Sequence, residues 1–188
     1  MSLLTRMDNR TPEQFAEQLR EGHQTEDLLG EAFRLQLELI NKVPVAIENV
    51  GVDNTGTVID GNLPFNDVDK NFIWGDHSLR VEIKTAPTYL NDFFTFKVSS
   101  LRTCIQKNSV ILLFPKATPH LYYLIWPSKA TSLLVDFQPR IYKGFSPNDP
   151  AIRIKYFQYS EYLDGPKRWG SNALQYIYNN KELLLKDR

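Results

Sequence analysis

Three residues near the middle of the chain have the types and spacing that phosphodiester chemistry requires. Asp69, Glu82 and Lys84 lie in residues 69–84, where two strand-like runs flank a turn-forming tetrad at residues 75–78. This pattern predicts a β-hairpin. Because strand side chains alternate, all three residues fall on one face, and pairing of Gly75 with Ser78 sets Lys84 directly across from Asp69.

The chemistry that this cluster could perform depends on a metal ion. Carboxylates on adjacent strands can hold Mg²⁺, or Mn²⁺ in its place, and the backbone carbonyl of Ile83 could add another oxygen ligand. The ion would lower the pKa of a bound water and offset charge on the phosphorane and on the leaving oxygen. Lys84 points to the same face as Glu82, where its ammonium could orient the attacking water. The expected cofactor is therefore Mg²⁺.

The first carboxylate of the cluster has several candidates. Asp69 is the first choice, and Asp67, which shares its face, is the second. Asp60 could belong to a longer or bulged strand, whereas Asp76 lies in the turn, distant from Glu82. The assignment stays open among these residues.

A purely structural interpretation competes with the catalytic one. An acid-x-Lys tripeptide is expected by chance about once in a chain of this size and composition. An ordinary hairpin with a charged solvent face would also contain it, with Lys84 neutralising Asp69 or Glu82 across strands. A small-molecule or protein-binding module is then a further alternative.

The elements around the hairpin predict an α/β fold. A short helix begins after Thr11 and stops at Gly22, and a second helix, capped by Thr25, continues to residue 43. A strand follows at residues 45–50, then a loop with one short strand at residues 57–60. Further on, residues 99–105 predict a helix capped by Ser99, and residues 110–114 and 121–126 predict strands. The alternation near residues 151–159 is typical of a strand, and residues 172–186 predict a helix.

The combination of an aspartate, a hairpin turn and the run VEIKT resembles the PD-(D/E)XK nuclease superfamily. The α-β-β-β-α-β order from residue 26 to residue 126 is similar to that of the family, although Val68 stands where the family has proline. The resemblance implies a restriction-endonuclease-like mixed central β-sheet flanked by helices. It also implies Asp69 and Glu82 as metal ligands, Lys84 as the catalytic lysine and Glu31 as an accessory acid.

The expected function is metal-dependent endonuclease cleavage of DNA. Basic and hydroxyl side chains on or beside the helix after the active strand suit phosphate contacts, and these are Lys97, Ser99, Arg102 and Lys107. A solvated helix face explains them equally well. The alternative function is a non-catalytic nucleic-acid-binding or assembly protein with a nuclease-like scaffold.

Length and composition favour one domain over residues 1–188, with a core at about residues 25–130 and an extension at 131–188 packed on it. The single cysteine, Cys104, permits no internal disulfide. The sequence has no apolar run long enough for a signal peptide or a membrane span, so we expect no membrane partner and a cytoplasmic location. The three histidines are too far apart to predict a zinc site, and no nucleotide-binding glycine loop is present. Two-strand cutting would favour a homodimer.

Overall fold

The computed structural model describes residues 11–50, 70–87, 93–142, 150–155 and 158–186. Its first element is one long helix, α1 (Pro12–Asn41), where the sequence predicted two helices. The predicted start is confirmed, because the Gln14 backbone N–H donates to Thr11 Oγ1 over 3.2 Å and the Thr11 N–H donates to Gln14 Oε1 over 2.9 Å.

The predicted break inside α1 is wrong. Gly22 costs only about 1 kcal/mol relative to alanine in a helix, which its helix-favouring neighbours offset. Thr25 is a buried interior residue and not a cap, since its hydroxyl donates to the Glu21 carbonyl one turn earlier over 2.9 Å. The helix ends at Lys42, which adopts the left-handed conformation.

A mixed sheet of six strands forms the centre of the molecule, in the order β1-β2-β3-β5-β6-β8. Strands β3 and β5 are parallel, and every other neighbouring pair is antiparallel. The connection from β3 to β5 passes through β4 and helix α2, and β4 pairs with β7 in a separate two-stranded sheet. The strands are β1 (Ala46–Asn49), β2 (Lys70–Trp74), β3 (His77–Ala86), β4 (Phe93–Lys97), β5 (Val110–Pro115), β6 (Leu121–Ile125), β7 (Ala151–Lys155) and β8 (Asp164–Arg168).

The predicted hairpin is present as β2 and β3, with a two-residue turn. Its register differs by two residues from the prediction, because Lys70 lies opposite Val81 and not Ile83. Gly75 has φ +54°, and this left-handed conformation fits a glycine at the first central position of a tight hairpin turn. A shift of two residues preserves the alternation, so the predicted division of side chains between the two faces is retained.

Apolar side chains cover both faces of the central sheet. One face, the α1 side, packs against α1, α4 (Ser171–Asn179) and α5 (Lys181–Leu184), through residues that include Phe33, Phe72, Ile83 and Leu184. The other face, the α2 side, packs against α2 (Val98–Gln106), α3 (Pro127–Asp136) and the inner face of the two-stranded sheet. Lys97, and not the predicted Ser99, occupies the N-cap position of α2.

The C-terminal part of the chain belongs to these same layers. Strand β8 extends the central sheet beside β6, and the single helix predicted at residues 172–186 is divided into α4 and α5. No helix in the described ranges is long and apolar enough to cross a bilayer.

Candidate functional site

Strand β3 places Glu82 and Lys84 side by side on the α2 side of the sheet. The two residues are two positions apart, so their side chains point the same way, while Ile83 between them enters the core on the α1 side. Lys84 Nζ lies 2.7 Å from Glu82 Oε1. The pair that the sequence predicted to share a face is therefore in direct contact.

The two partners differ sharply in exposure. The Glu82 side chain is 8% exposed, whereas that of Lys84 is 37% exposed. Glu82 lies close enough to Cys104 on α2 to raise the pKa of that thiol, although burial is the larger cause of the shift. Removing a carboxylate from water costs several kcal/mol, and the contact with Lys84 offsets part of that cost.

A cavity of about 290 Å³ opens beside Lys84, at the carboxyl ends of the parallel strands β3 and β5. In open α/β sheets, ligands commonly bind outside the carboxyl ends of strands. Its lining comes from the first half of α1, the end of β3 and the residue after β5, and comprises Gly22, Thr25, Glu26, Ile83, Lys84, Thr85, Pro87 and Lys116. The lining residues thus include two lysines, one glutamate and two threonines. Because α1 and Ile83 belong to the α1 side, the cavity opens on that side of the sheet, whereas Lys84 Nζ lies on the α2 side beside Glu82.

Lys116 is the second cation of this cavity, and it is only 8% exposed. Its Nζ donates a hydrogen bond to the backbone carbonyl of Lys186, near the C-terminus. The Glu26 carboxylate on α1 lies 3.8 Å from His23 Nδ1, and its side chain is 30% exposed. The cavity wall is therefore assembled from three distant parts of the sequence.

Glu31, the predicted accessory acid, lies elsewhere. Its carboxylate accepts two hydrogen bonds from Arg34, at 2.8 and 2.6 Å. The pKa of Tyr176 on α4 is raised mainly by burial, and the Glu31 charge adds to this shift. Since α1 and α4 cover the α1 side, the central sheet separates Glu31 from Glu82. Glu26, five residues earlier, is the α1 glutamate that borders the cavity.

The metal prediction rests on residues that the structure describes only in part. Asp60, Asp67 and Asp69 lie outside the described residues. Within the described ranges, no three His, Cys, Asp or Glu side chains are grouped as a metal site would require. The oxygen ligands that Mg²⁺ prefers are nevertheless present in Glu82, and Ile83 borders the cavity. A metal site would need a further carboxylate, for which the sequence predicts Asp69 or Asp67.

The predicted DNA-contacting residues do not form one uniform surface. Arg102 and Lys107 are exposed, on α2 and at its C-terminal end, and Ser99 is half-buried in the first turn of α2. Lys97 is exposed at the end of β4, in the two-stranded sheet. The sequence predicted neither β4 nor this sheet, so it gave no indication that Lys97 has the side chains of β7 as neighbours.

The cavity contains polar residues that the sequence analysis did not select, namely Thr25, Glu26, Thr85 and Lys116. Thr85 directly follows Lys84, and Lys116 follows an apolar strand that the sequence did predict. A signal for both residues therefore existed, because the carboxyl ends of parallel strands are frequent ligand sites. Glu26 had no such signal, since the sequence does not reveal how α1 crosses the sheet.

Searches with this sequence found no matching protein-family model and no matching curated protein.

Proposed function

We propose that this chain is a metal-dependent nuclease that hydrolyses DNA phosphodiester bonds, with a PD-(D/E)XK, restriction-endonuclease-like fold. The order α1-β1-β2-β3, followed after β4 by α2 and β5, supports this proposal, because it contains the α-β-β-β-α-β succession of that family. The parallel pairing of β3 with β5 and the antiparallel meander of β1, β2 and β3 agree with a mixed central sheet.

The observation that carries the proposal is the buried Glu82 carboxylate beside the partly exposed Lys84 ammonium. A hairpin with a merely solvated charged face would leave Glu82 exposed, yet the residue is 6% exposed. Glutamate is rarely buried unless it is paired or bound to a metal. The cavity at the end of β3 is also lined by a second basic residue, Lys116, and basic residues suit an anionic substrate.

Each residue has a proposed role. Mg²⁺, when bound, would supply an activated water and a positive charge beside the phosphate. Glu82 would be one of its carboxylate ligands, with Asp69 or Asp67 as the other. Lys84 would hold the attacking water or balance the charge of the phosphorane, and Lys116 would attract the phosphate into the cavity.

Cleavage of labelled duplex, single-stranded and supercoiled DNA with Mg²⁺ or Mn²⁺ tests the proposal. Glu82→Gln and Lys84→Ala are expected to lower the cleavage rate at least about a hundredfold while the protein remains folded. Lys167→Ala is the matched control, because Lys167 is also 37% exposed and lies 3.0 Å from a carboxylate oxygen of Asp164, on β8. This variant is expected to cleave like the wild type.

The outcomes separate the two candidate functions. Cleavage by either site variant at the wild-type rate would contradict the assigned roles. DNA binding that needs no metal, with no cleavage of any substrate, would favour the non-catalytic nucleic-acid-binding alternative. A melting temperature that responds to neither metal nor DNA would indicate a binding module of another kind.

A further inference from the structure

The outer face of the two-stranded sheet concentrates positive charge. Strand side chains alternate, so Phe94, Phe96, Ile152 and Ile154 are buried against the central sheet. The other residues of β4 and β7 point to the opposite side, where Ala151 is itself covered. The cations of this outward side are Lys97, Arg140, Arg153 and Lys155, which we call the basic face. Arg140 belongs to it because it pairs with Ala151, which lies opposite Lys97.

The charge of the basic face is a local feature. The whole chain has 22 basic and 22 acidic residues, yet neither β4 nor β7 contains an aspartate or a glutamate. Lys97 and Arg140 are exposed, and Arg153 and Lys155 are half-buried. Two paired strands whose own charged residues are all positive, within a neutral protein, suit a polyanion.

Aromatic rings hold two of these cations in place. The Arg153 guanidinium carbon lies 4.3 Å from the Tyr142 ring centroid, and Lys155 Nζ lies 5.3 Å from that of Phe93. Arg153 Nε also donates to Thr95 Oγ1 over 3.0 Å, which fixes the plane of the guanidinium. Cations already ordered in this way lose less conformational entropy when they bind a phosphate.

We propose that the basic face binds the phosphate backbone of DNA and holds it on the α2 side of the central sheet. This inference deepens the proposed nuclease function, since the two-stranded sheet packs on the side of the central sheet that carries Glu82 and Lys84. The contacts are to phosphates and therefore independent of base sequence.

The test measures fluorescence anisotropy of a labelled DNA duplex in EDTA, so that binding is read without cleavage. Relative to the wild type, R153Q/K155Q is expected to bind at least about tenfold more weakly at low salt. Its slope of log affinity against log salt concentration should be smaller by about 2, because each lost phosphate contact removes about 0.9. The variant R153K/K155R keeps both charges and is expected to retain the wild-type slope.

The matched control removes the same charges elsewhere. Arg20 on α1 and Lys181 on α5 are both exposed, and both helices lie on the α1 side of the sheet. R20Q/K181Q should therefore bind DNA like the wild type. If R153Q/K155Q does not fold, K155Q alone is expected to lower the slope by about 0.9.

Unchanged affinity and slope in R153Q/K155Q, or an equal loss in R20Q/K181Q, would overturn the basic face as the binding surface. Tighter wild-type binding to phosphatidylserine vesicles than to DNA would overturn the choice of partner. The proposed function can be contradicted independently of this inference. If the wild type binds DNA through the basic face but cleaves no DNA with Mg²⁺, the proposed function is contradicted and this inference is not. Conversely, if R153Q/K155Q binds and cleaves DNA like the wild type, this inference is contradicted and the nuclease proposal is not.

Discussion

At the scale of single residues, β3 carries a charged pair whose two members differ in burial. Glu82 lies on the α2 side and contacts Lys84, whose side chain is the more exposed of the two, and Lys84 also borders the cavity at the end of the strand. A buried carboxylate is held in a fixed position, which a metal ligand requires, whereas a partly exposed ammonium can reach a substrate. The alternation of β3 predicted that these two residues share a face. It did not predict their different burial, which depends on α2 and the two-stranded sheet.

Cys104 gives a prediction for the packing around Glu82. Burial, helped by the nearby charge of Glu82 and opposed by the hydrogen bond to Ser109, raises the pKa of the thiol to about 11. An exposed thiol in the unfolded chain ionises near pH 8.5, so the unfolded state loses its proton first. Stability is therefore expected to fall as the pH rises from about 8.5 to about 11, by about 1.4 kcal/mol per pH unit.

Urea denaturation of the wild type and of Cys104→Ala, at about pH 8 and about pH 10, measures this effect. The wild type should lose about 2 kcal/mol more than the variant over that interval, because both proteins share every other alkaline titration. An equal loss in the two proteins would show that the thiol is not shielded from water.

At the scale of elements, the sequence was informative wherever local patterns decide the structure. The start of α1, strand β1, the hairpin, β5 and β6 all follow from capping residues, alternation or turn chemistry. Two of the missed elements have weak signals: in β8 (DGPKR), Asp, Gly and Pro are residues that strands usually avoid, and α3 begins directly after β6 without a polar cap, although proline stands at its start. Strand β4 (FFTFK) was missed although its residues favour strands. The helix end predicted at Gly22 is an error of the opposite kind. Glycine often ends a helix, but α1 continues through Gly22.

The hairpin turn gives a prediction about the register. Gly75 has φ +54°, and a Cβ built there would have no neighbour within 4 Å. A substitution at Gly75 would therefore lower stability only through the strained backbone conformation. Gly75→Ala is expected to destabilise the protein by about 1 to 2 kcal/mol in urea denaturation. Gly75→Asn should cost less, because asparagine tolerates the left-handed conformation. Equal losses for both variants would contradict the assigned turn geometry.

At the scale of the whole molecule, the C-terminal segment contacts Lys116, one of the residues that line the cavity. Lys116, which directly follows the central strand β5, donates to the Lys186 carbonyl, and Lys186 Nζ lies 3.5 Å from a carboxylate oxygen of Glu21 on α1. Leu184 of α5 is fully buried on the α1 side. No local pattern indicates such contacts, since they join residues 70 and 165 positions apart; this is why the sequence predicted the strand before Lys116 but not its surroundings.

A double-mutant cycle tests whether the C-terminal segment and Lys116 are energetically coupled. The four proteins are the wild type, Lys116→Met, a chain ending at Asn180, and the chain with both changes. In the full chain, Lys116→Met removes a buried hydrogen bond, whereas in the shortened chain the carbonyl partner is already absent. The unfolding free energies in urea should therefore give a coupling of about 1 to 3 kcal/mol.

Leu184→Ala in the full chain is the control for lost apolar burial, and it is expected to cost about 2 to 5 kcal/mol while leaving the effect of Lys116→Met unchanged. If Lys116→Met costs the same in the full and shortened chains, the C-terminal segment acts on stability only through Leu184. A measured coupling would instead mean that the end of the chain holds Lys116 in position beside the cavity, so shortening it should also slow DNA cleavage in the proposed site.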